Sequence, residues 1–88
     1  LNADERQRAL GLSRALQAAS DRVAAGAAAT AEVKALMEKV LIDHGLRVDY
    51  AEIVDAETLK PVERTVAGNV GLIAVFCGKT RLIDNRIL

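Results

Sequence analysis

The sequence predicts an α+β two-layer sandwich, a helical hairpin packed on a small three-stranded, mainly antiparallel sheet in the order ααβββ. Three observations carry this. Apolar residues recur at spacings of three and four through the first half, the period falls toward two after Gly45, and β-branched residues become frequent from there on.

Asn2 followed by Glu5 has the layout of a capping box: the asparagine side chain accepts one backbone N–H and the glutamate reaches back to another. A helix is therefore expected to begin at Ala3. Ala9, Leu12, Leu16, Ala19 and Val23 form one apolar stripe, with Arg6, Arg14, Gln17 and Asp21 largely off it. Gly11 inside this helix costs about 1 kcal/mol relative to alanine, which makes sense if another stretch of backbone packs there. Gly26 is the natural stop. Thr30 is the expected N-cap of a second helix, with Glu32 in its first turn, where the helix dipole favours a carboxylate. Val33, Leu36, Met37, Val40 and Leu41 mark the buried face, and His44-Gly45 marks the end. The connection from Gly26 to Thr30 is short, so the two helices should pack antiparallel.

Residues 48–54 read as the first strand, 55–61 as a turn or a short helical turn, and 63–66 as a brief edge segment. The run Val70-Gly71-Leu72-Ile73-Ala74-Val75-Phe76-Cys77 is the central strand, too apolar on both faces to be exposed on either. Gly78-Lys79 suits a two-residue type II′ turn in which glycine takes the positive φ. The strand after it, residues 80–83, should pair antiparallel with the central one and end at Asp84-Asn85, residues suited to a turn.

Eighty-eight residues make one domain, and a chain of this size buries roughly 60 to 65% of its unfolded surface. Tyr50 and Phe76 are the only aromatic residues, so the core must rest on aliphatic and alanine contacts. Lys+Arg and Asp+Glu number 12 each, split evenly on either side of Gly45, and neither half is a polyelectrolyte. A nucleic-acid binder needs a basic face and, for single strands, aromatic stacking platforms; nucleic acid is not the expected partner. Cys77 sits in an apolar run and reads as a small buried hydrophobe rather than a nucleophile. A lone cysteine cannot form an internal disulfide, and a cytoplasmic location is the default. No apolar segment approaches the ~20 residues needed to span a bilayer, and no signal-peptide layout is present, so no membrane partner is expected. The chain opens at Leu1 without a methionine, as a domain cut from a longer protein would.

Few residues suggest chemistry. Gly78-Lys79-Thr80 looks like the tail of a phosphate-binding loop, but Ile73 stands where that loop needs its first glycine. The surrounding pattern is strand–turn–strand rather than strand–loop–helix, so a tight turn is the better account. His44, the only histidine, lies at a helix end, where an imidazole interacts with exposed carbonyls. No histidine–cysteine cluster has metal-ligand spacing, and no metal site is expected. Asp49, Glu52, Asp55 and Glu57 crowd the first strand and its turn; strict alternation would send Asp49 and Glu52 to opposite faces, which does not suit a pair for acid–base work. Asp55 fits an Asx turn. A solvated edge accounts for the group, with magnesium or partner binding as the alternative. Arg81 either pairs with a carboxylate of a neighbouring strand, Glu52 being one candidate, or works at a seam with another domain.

Taken in order, the strings Leu1-Asn2-Ala3-Asp4-Glu5-Arg6, Val48-Asp49-Tyr50-Ala51-Glu52-Ile53-Val54-Asp55-Ala56-Glu57-Thr58-Leu59 and Gly78-Lys79-Thr80-Arg81-Leu82-Ile83-Asp84-Asn85 resemble the carboxy-terminal domain of the pantothenate synthetases, the ATP-dependent pantoate–β-alanine ligases. The resemblance covers nearly the whole chain. In that family an HxGH-type motif and a Ser-Ser-Arg-Asn-like loop lie upstream, in a Rossmann-type amino-terminal domain, and neither is present here.

The resemblance implies that residues 1–88 are the lid of a larger two-domain enzyme, with that amino-terminal domain as its partner. The family condenses pantoate with β-alanine through a pantoyl adenylate, using ATP and magnesium. Such an adenylate hydrolyses easily, so closing a lid against water is a physical requirement. The lid would carry no nucleophile, acid or base, the fragment alone would be inactive, and neither ATP nor magnesium would be bound to it. Lys79 and Arg81 are the candidates for a contact with substrate, since developing phosphate charge attracts cations. An apolar face uncovered by excision would favour a homodimer. The competing reading is a free-standing α+β interaction module, dimerising through the sheet face or the helix pair. An HxGH-bearing domain encoded upstream of Leu1 favours the ligase, and a start codon beside Leu1 favours the module.

Overall fold

The capping box forms as its spacing implies. In the computed structural model, which describes residues 2–88, the Asn2 side chain accepts the Glu5 N–H at 2.8 Å and the Glu5 carboxylate accepts the Asn2 N–H at 3.2 Å. Leu1, where the family-like stretch begins, lies outside the described residues. Helix α1 spans Ala3–Ala24. Its stripe is buried at Leu12, Ala15, Leu16, Ala19 and Val23. Gly26, at φ 138°, takes the chain out of the helical region just beyond its end.

Two corrections concern the next segment. Ala28–Ala29 is a short strand, β1, and helix α2 spans Thr30–Asp43 with Ala29, not Thr30, at the N-cap. No side chain caps α2. Thr30 is already helical, and its polar groups turn to the segment that runs alongside: its N–H donates to the Glu63 carbonyl at 2.9 Å, and its hydroxyl shares a 2.8 Å hydrogen bond with that of Thr65. Strand β1 pairs antiparallel with the later β3, Arg64–Thr65. The brief edge segment expected there thus exists, but in a separate two-stranded ladder beside the main sheet.

The helices pack antiparallel. Early α1 meets late α2, where Gly11 touches His44 and Leu46, and late α1 meets early α2, where Arg22 pairs with Glu32 at 2.8 Å. Gly11 is approached by a side chain, His44, rather than by bare backbone. His44 ends α2 as expected, its Nδ1 lying 2.8 Å from the Val40 carbonyl oxygen.

The main sheet has the order β2-β4-β5, with β2 Arg47–Val54, β4 Val70–Cys77 and β5 Thr80–Ile87 all antiparallel. The strand of the apolar run is indeed central. Gly78, at φ 62°, begins the two-residue turn after it, and Lys79 is not at positive φ, as a type II′ turn requires. Strand β5 continues to Ile87, well past the expected stop at Asp84-Asn85. The reason is the ladder: Asp84 pairs with Ile73, Asn85 with Leu72, and so on to Ile87 with Val70.

Both helices cover one face of the sheet. Leu16, Met37, Leu41, Ile53, Ile73, Val33 and Val75 are completely enclosed there, each of the larger ones contributing about 1.5–3 kcal/mol of apolar burial. The other face of β4 is not enclosed: Ala74 is buried, but Val70, Leu72 and Phe76 are half-buried. The apolar run therefore overstates how deeply this strand sits. The class is nonetheless the one the periodicities imply, α+β with a helical hairpin on an antiparallel sheet.

Candidate functional site

The hairpin at Gly78-Lys79 carries both cations singled out from the sequence to one end of the outer sheet face. Lys79 is exposed at the turn and Arg81 is exposed on the strand leaving it. One rung of the sheet runs Arg47–Phe76–Arg81 across β2, β4 and β5. The Arg47 guanidinium lies over the Phe76 ring, 4.6 Å from its centroid, a contact worth about 0.5–1 kcal/mol at an exposed site. Arg81 lies 5.9 Å from the centroid of the Tyr50 ring.

Arg81 is bridged, but to Asp49 and not to Glu52. Its Nε and Nη2 donate to Asp49 Oδ2 at 3.1 and 3.0 Å, spanning the central strand. The cause is a β-bulge: Val48 pairs with Val75 and Tyr50 with the adjacent Ala74, so Asp49 is the unpaired extra residue. Beyond the bulge the alternation flips. Val48 packs against the core, yet so do Ala51 and Ile53, while Tyr50 turns outward beside Arg81. The expectation that Asp49 and Glu52 take opposite faces rested on unbroken alternation, which this strand lacks. They remain unpaired with each other; Glu52 binds Lys34 of α2 at 3.3 Å.

Arg47, Asp49, Tyr50 and Phe76 were thus missed as members of this corner. One signal was present: the apolar positions move from Val48 to Ala51 and Ile53, a change of parity that an extra residue explains. The resulting group, Lys79, Arg81 and Arg47 with the carboxylate of Asp49, can attract an anion and present flat apolar surface beside it.

A concavity of about 530 Å³ lies between the start of α2 and the segment before β3, lined by Thr30, Lys34, Glu38, Glu52, Val62 and Glu63 among others. It is open, and its one lysine is paired with Glu52. Asp55 forms the Asx turn: its Oδ1 accepts the N–H groups of Glu57 at 2.9 Å and Thr58 at 3.0 Å. The Thr58 N–H, then that of Glu57, hold the Asp55 carboxyl below the ordinary range. Cys77 is buried. Among the described residues no three His, Cys, Asp or Glu side chains lie close enough to hold a metal ion, and no helix is long and apolar enough to cross a membrane.

The sequence profile of the family described as Pantoate-beta-alanine ligase matches residues 1–87. The chain belongs to the pantoate–β-alanine ligase family. It is 46% identical over 85 residues to the Pantoate--beta-alanine ligase of Arabidopsis thaliana, covering 97% of this chain and 27% of that protein. It is 41% identical over 88 residues to the Pantothenate synthetase of Fervidobacterium nodosum, covering 100% of this chain and 31% of the relative. The crystal structure of the Thermus thermophilus pantothenate synthetase superposes with a TM-score of 0.83 at 36% identity, over 99% of this chain and 32% of that one. The chain thus spans about a third of the length of the ligases it matches.

Proposed function

We propose that this chain is the lid of a pantoate–β-alanine ligase, closing over a nucleotide-binding amino-terminal domain while pantoate, ATP and β-alanine react there through a pantoyl adenylate. The observation that carries this is the match of almost the whole chain to about a third of each relative. Gly78-Lys79-Thr80 is a hairpin turn joining two paired strands, which does not fit a phosphate-cradling loop. ATP and magnesium are therefore assigned to the larger remainder of the enzyme, in the cytoplasm, and the fragment by itself is inactive. What this chain supplies is exclusion of water from the adenylate and cations at the rim.

Lys79 and Arg81 are the proposed rim contacts. Lys79 has no ion-pair partner among the described residues and sits at the projecting turn, whereas Arg81 must share its charge with Asp49. Lys79→Ala in the full-length enzyme is expected to lower kcat/KM for pantothenate formation without moving the melting temperature. Arg81→Ala is expected to lower kcat/KM too, with a stability loss of at most about 1 kcal/mol, because both side chains of its ion pair are well exposed. Unchanged steady-state kinetics for both variants would remove the contact; unfolding of Arg81→Ala would make its bridge to Asp49 a structural one instead.

A further inference from the structure

Strand β5 is an edge. It pairs with β4 on one side, and no other described strand meets its other side. The Leu88 N–H points inward, donating to the Asn69 carbonyl at 2.8 Å. By the alternation of an antiparallel ladder, the N–H and C=O groups of Ile83, Asn85 and Ile87 then face the open side. Asn85 bears this out: its N–H donates at 2.8 Å to the neighbouring Asp84 Oδ1, the local substitute for a strand partner. The register from Thr80 to Ile87 has no bulge and the strand has no proline. Ile83 and Ile87 are 59% and 70% exposed. A long regular edge with exposed isoleucines is a template for another strand.

The residue order of this edge says which strand. Leu82-Ile83-Asp84-Asn85-Arg86-Ile87-Leu88 reads the same in both directions, except that Asp84 is answered by Arg86. Two copies laid antiparallel about Asn85 set Ile83 opposite Ile87, Asp84 opposite Arg86 and Leu82 opposite Leu88, each twice by symmetry. The pairs at Asn85 and at Ile83/Ile87 are those whose backbone groups face outward, so they exchange hydrogen bonds. Asp84 and Arg86 then fall at the closer, non-hydrogen-bonded positions, where an ion pair gains most. Among the described residues neither has an ion-pair partner within its own chain; Arg86 is held by the neutral Gln17 Oε1 at 2.8 Å. Centring the pairing on Asp84 instead would oppose the two Asp84 carboxylates, and centring it on Ile83 would lose the charge pairing.

We propose that the partner of this edge is a second copy of the chain, β5 pairing with β5 about a two-fold axis at Asn85 so that the two sheets become one. This is independent of the lid function. The interface is narrow, so association should be weak and best observed at about 0.1–1 mM protein. Sedimentation velocity on the 88-residue chain is expected to show a monomer–dimer equilibrium. Asp84→Arg or Arg86→Asp should each weaken it about tenfold or more, since every dimer carries the altered pair twice. The double variant Asp84→Arg/Arg86→Asp should restore it, with circular dichroism confirming that all three fold. Asn85→Cys reads the register directly, because hydrogen-bonded partners stand about 5.5 Å apart between Cα atoms, within disulfide range. That variant should cross-link under oxidised glutathione, whereas Ile83→Cys alone should not, its counterpart lying about 14 Å away along the strands. Monomer at all concentrations, no rescue by the double variant, or equal cross-linking by Ile83→Cys would each overturn the proposal. A cross-link formed by this chain but not by the full-length ligase would also overturn it, by showing that another segment of the same polypeptide covers the edge.

Discussion

Replacing Gly11 with alanine sets two effects against each other, and the geometry decides between them. Helix propensity favours alanine by about 1 kcal/mol at an interior position. Against this, a Cβ at residue 11 would lie 2.8 Å from His44 Cβ, 2.9 Å from His44 Cγ and 3.0 Å from Leu46 Cδ1. Carbon pairs prefer about 3.5–4.0 Å. The nearest atom is also the one that cannot rotate away, since His44 Cβ is fixed to the backbone at the end of α2. That backbone is itself held, with the Gly45 N–H on the Ile42 carbonyl at 2.9 Å and the Leu46 N–H on the Leu41 carbonyl at 3.1 Å. Relief therefore requires α2 to shift away from α1. Overpacking costs about 1–3 kcal/mol, and because the nearest atom cannot rotate away the upper part of that range, about 2–3 kcal/mol, applies, which exceeds the propensity gain and leaves a net loss of about 1–2 kcal/mol. For a domain of this size that is a fall in Tm of about 4–16 °C. Thermal melts followed by circular dichroism, with urea titrations alongside, measure it. In a His44→Gly background the same substitution should be harmless or stabilising, a coupling of about 1–3 kcal/mol. A Gly11→Ala protein as stable as its parent would refute the reasoning.

Two further substitutions test particular contacts. Thr30 and Thr65 share one buried hydroxyl–hydroxyl bond, and Thr65 is fully enclosed; Thr30→Val should cost about 1–3 kcal/mol by stranding the Thr65 hydroxyl, whereas Thr30→Val/Thr65→Val should lose less than the single change. Losses that simply add in urea denaturation would count against a shared bond. For Asp55, the folded carboxyl is held below its ordinary range by the Thr58 and Glu57 N–H groups, so its contribution is present above the unfolded pKa and lost as pH falls through the folded one. The Tm difference between parent and Asp55→Ala should accordingly be largest near neutrality and shrink below about pH 4; Asp55→Asn, which keeps an acceptor oxygen, should show less of this trend. A difference independent of pH would show that the carboxylate charge is not involved.

Local signals fixed most of the elements. The capping box at Asn2 and Glu5, the 3.6-residue stripe from Leu12 to Val23 and the glycine of the hairpin turn each act within a few residues, and each formed as expected. The errors lie where a distant segment supplies the partner. Thr30 looks like an N-cap by residue type, but its hydroxyl is taken by Thr65. Asp84-Asn85 looks like a turn, but pairing with Leu72 and Ile73 holds it extended. Turn and cap preferences amount to about 1 kcal/mol each, and a continuing ladder outweighs them.

The corner around Arg81 shows the same limit at a finer scale. That Arg81 would meet a carboxylate of another strand was legible; which one depended on register, and register depended on a single extra residue. With strict alternation along β2, Tyr50 would share a face with Val48, and Asp49 would point the other way. The bulge reverses Tyr50 alone, bringing its ring to the outer face beside the Asp49 carboxylate, Arg81 and Arg47. A bulge also strengthens the local twist, and here it lies beside the hairpin end that projects Lys79. The carboxylate and the ring that flank Arg81 therefore follow from one inserted residue rather than from any motif. Deleting Asp49 would remove the Arg81 ion pair and close the bulge, leaving Val48 opposite Val75 and Tyr50 opposite Ala74 in a regular ladder with Val48, Ala51 and Ile53 still facing the core. Asp49→Ala keeps the extra residue, and so should leave the register and the core intact while freeing Arg81.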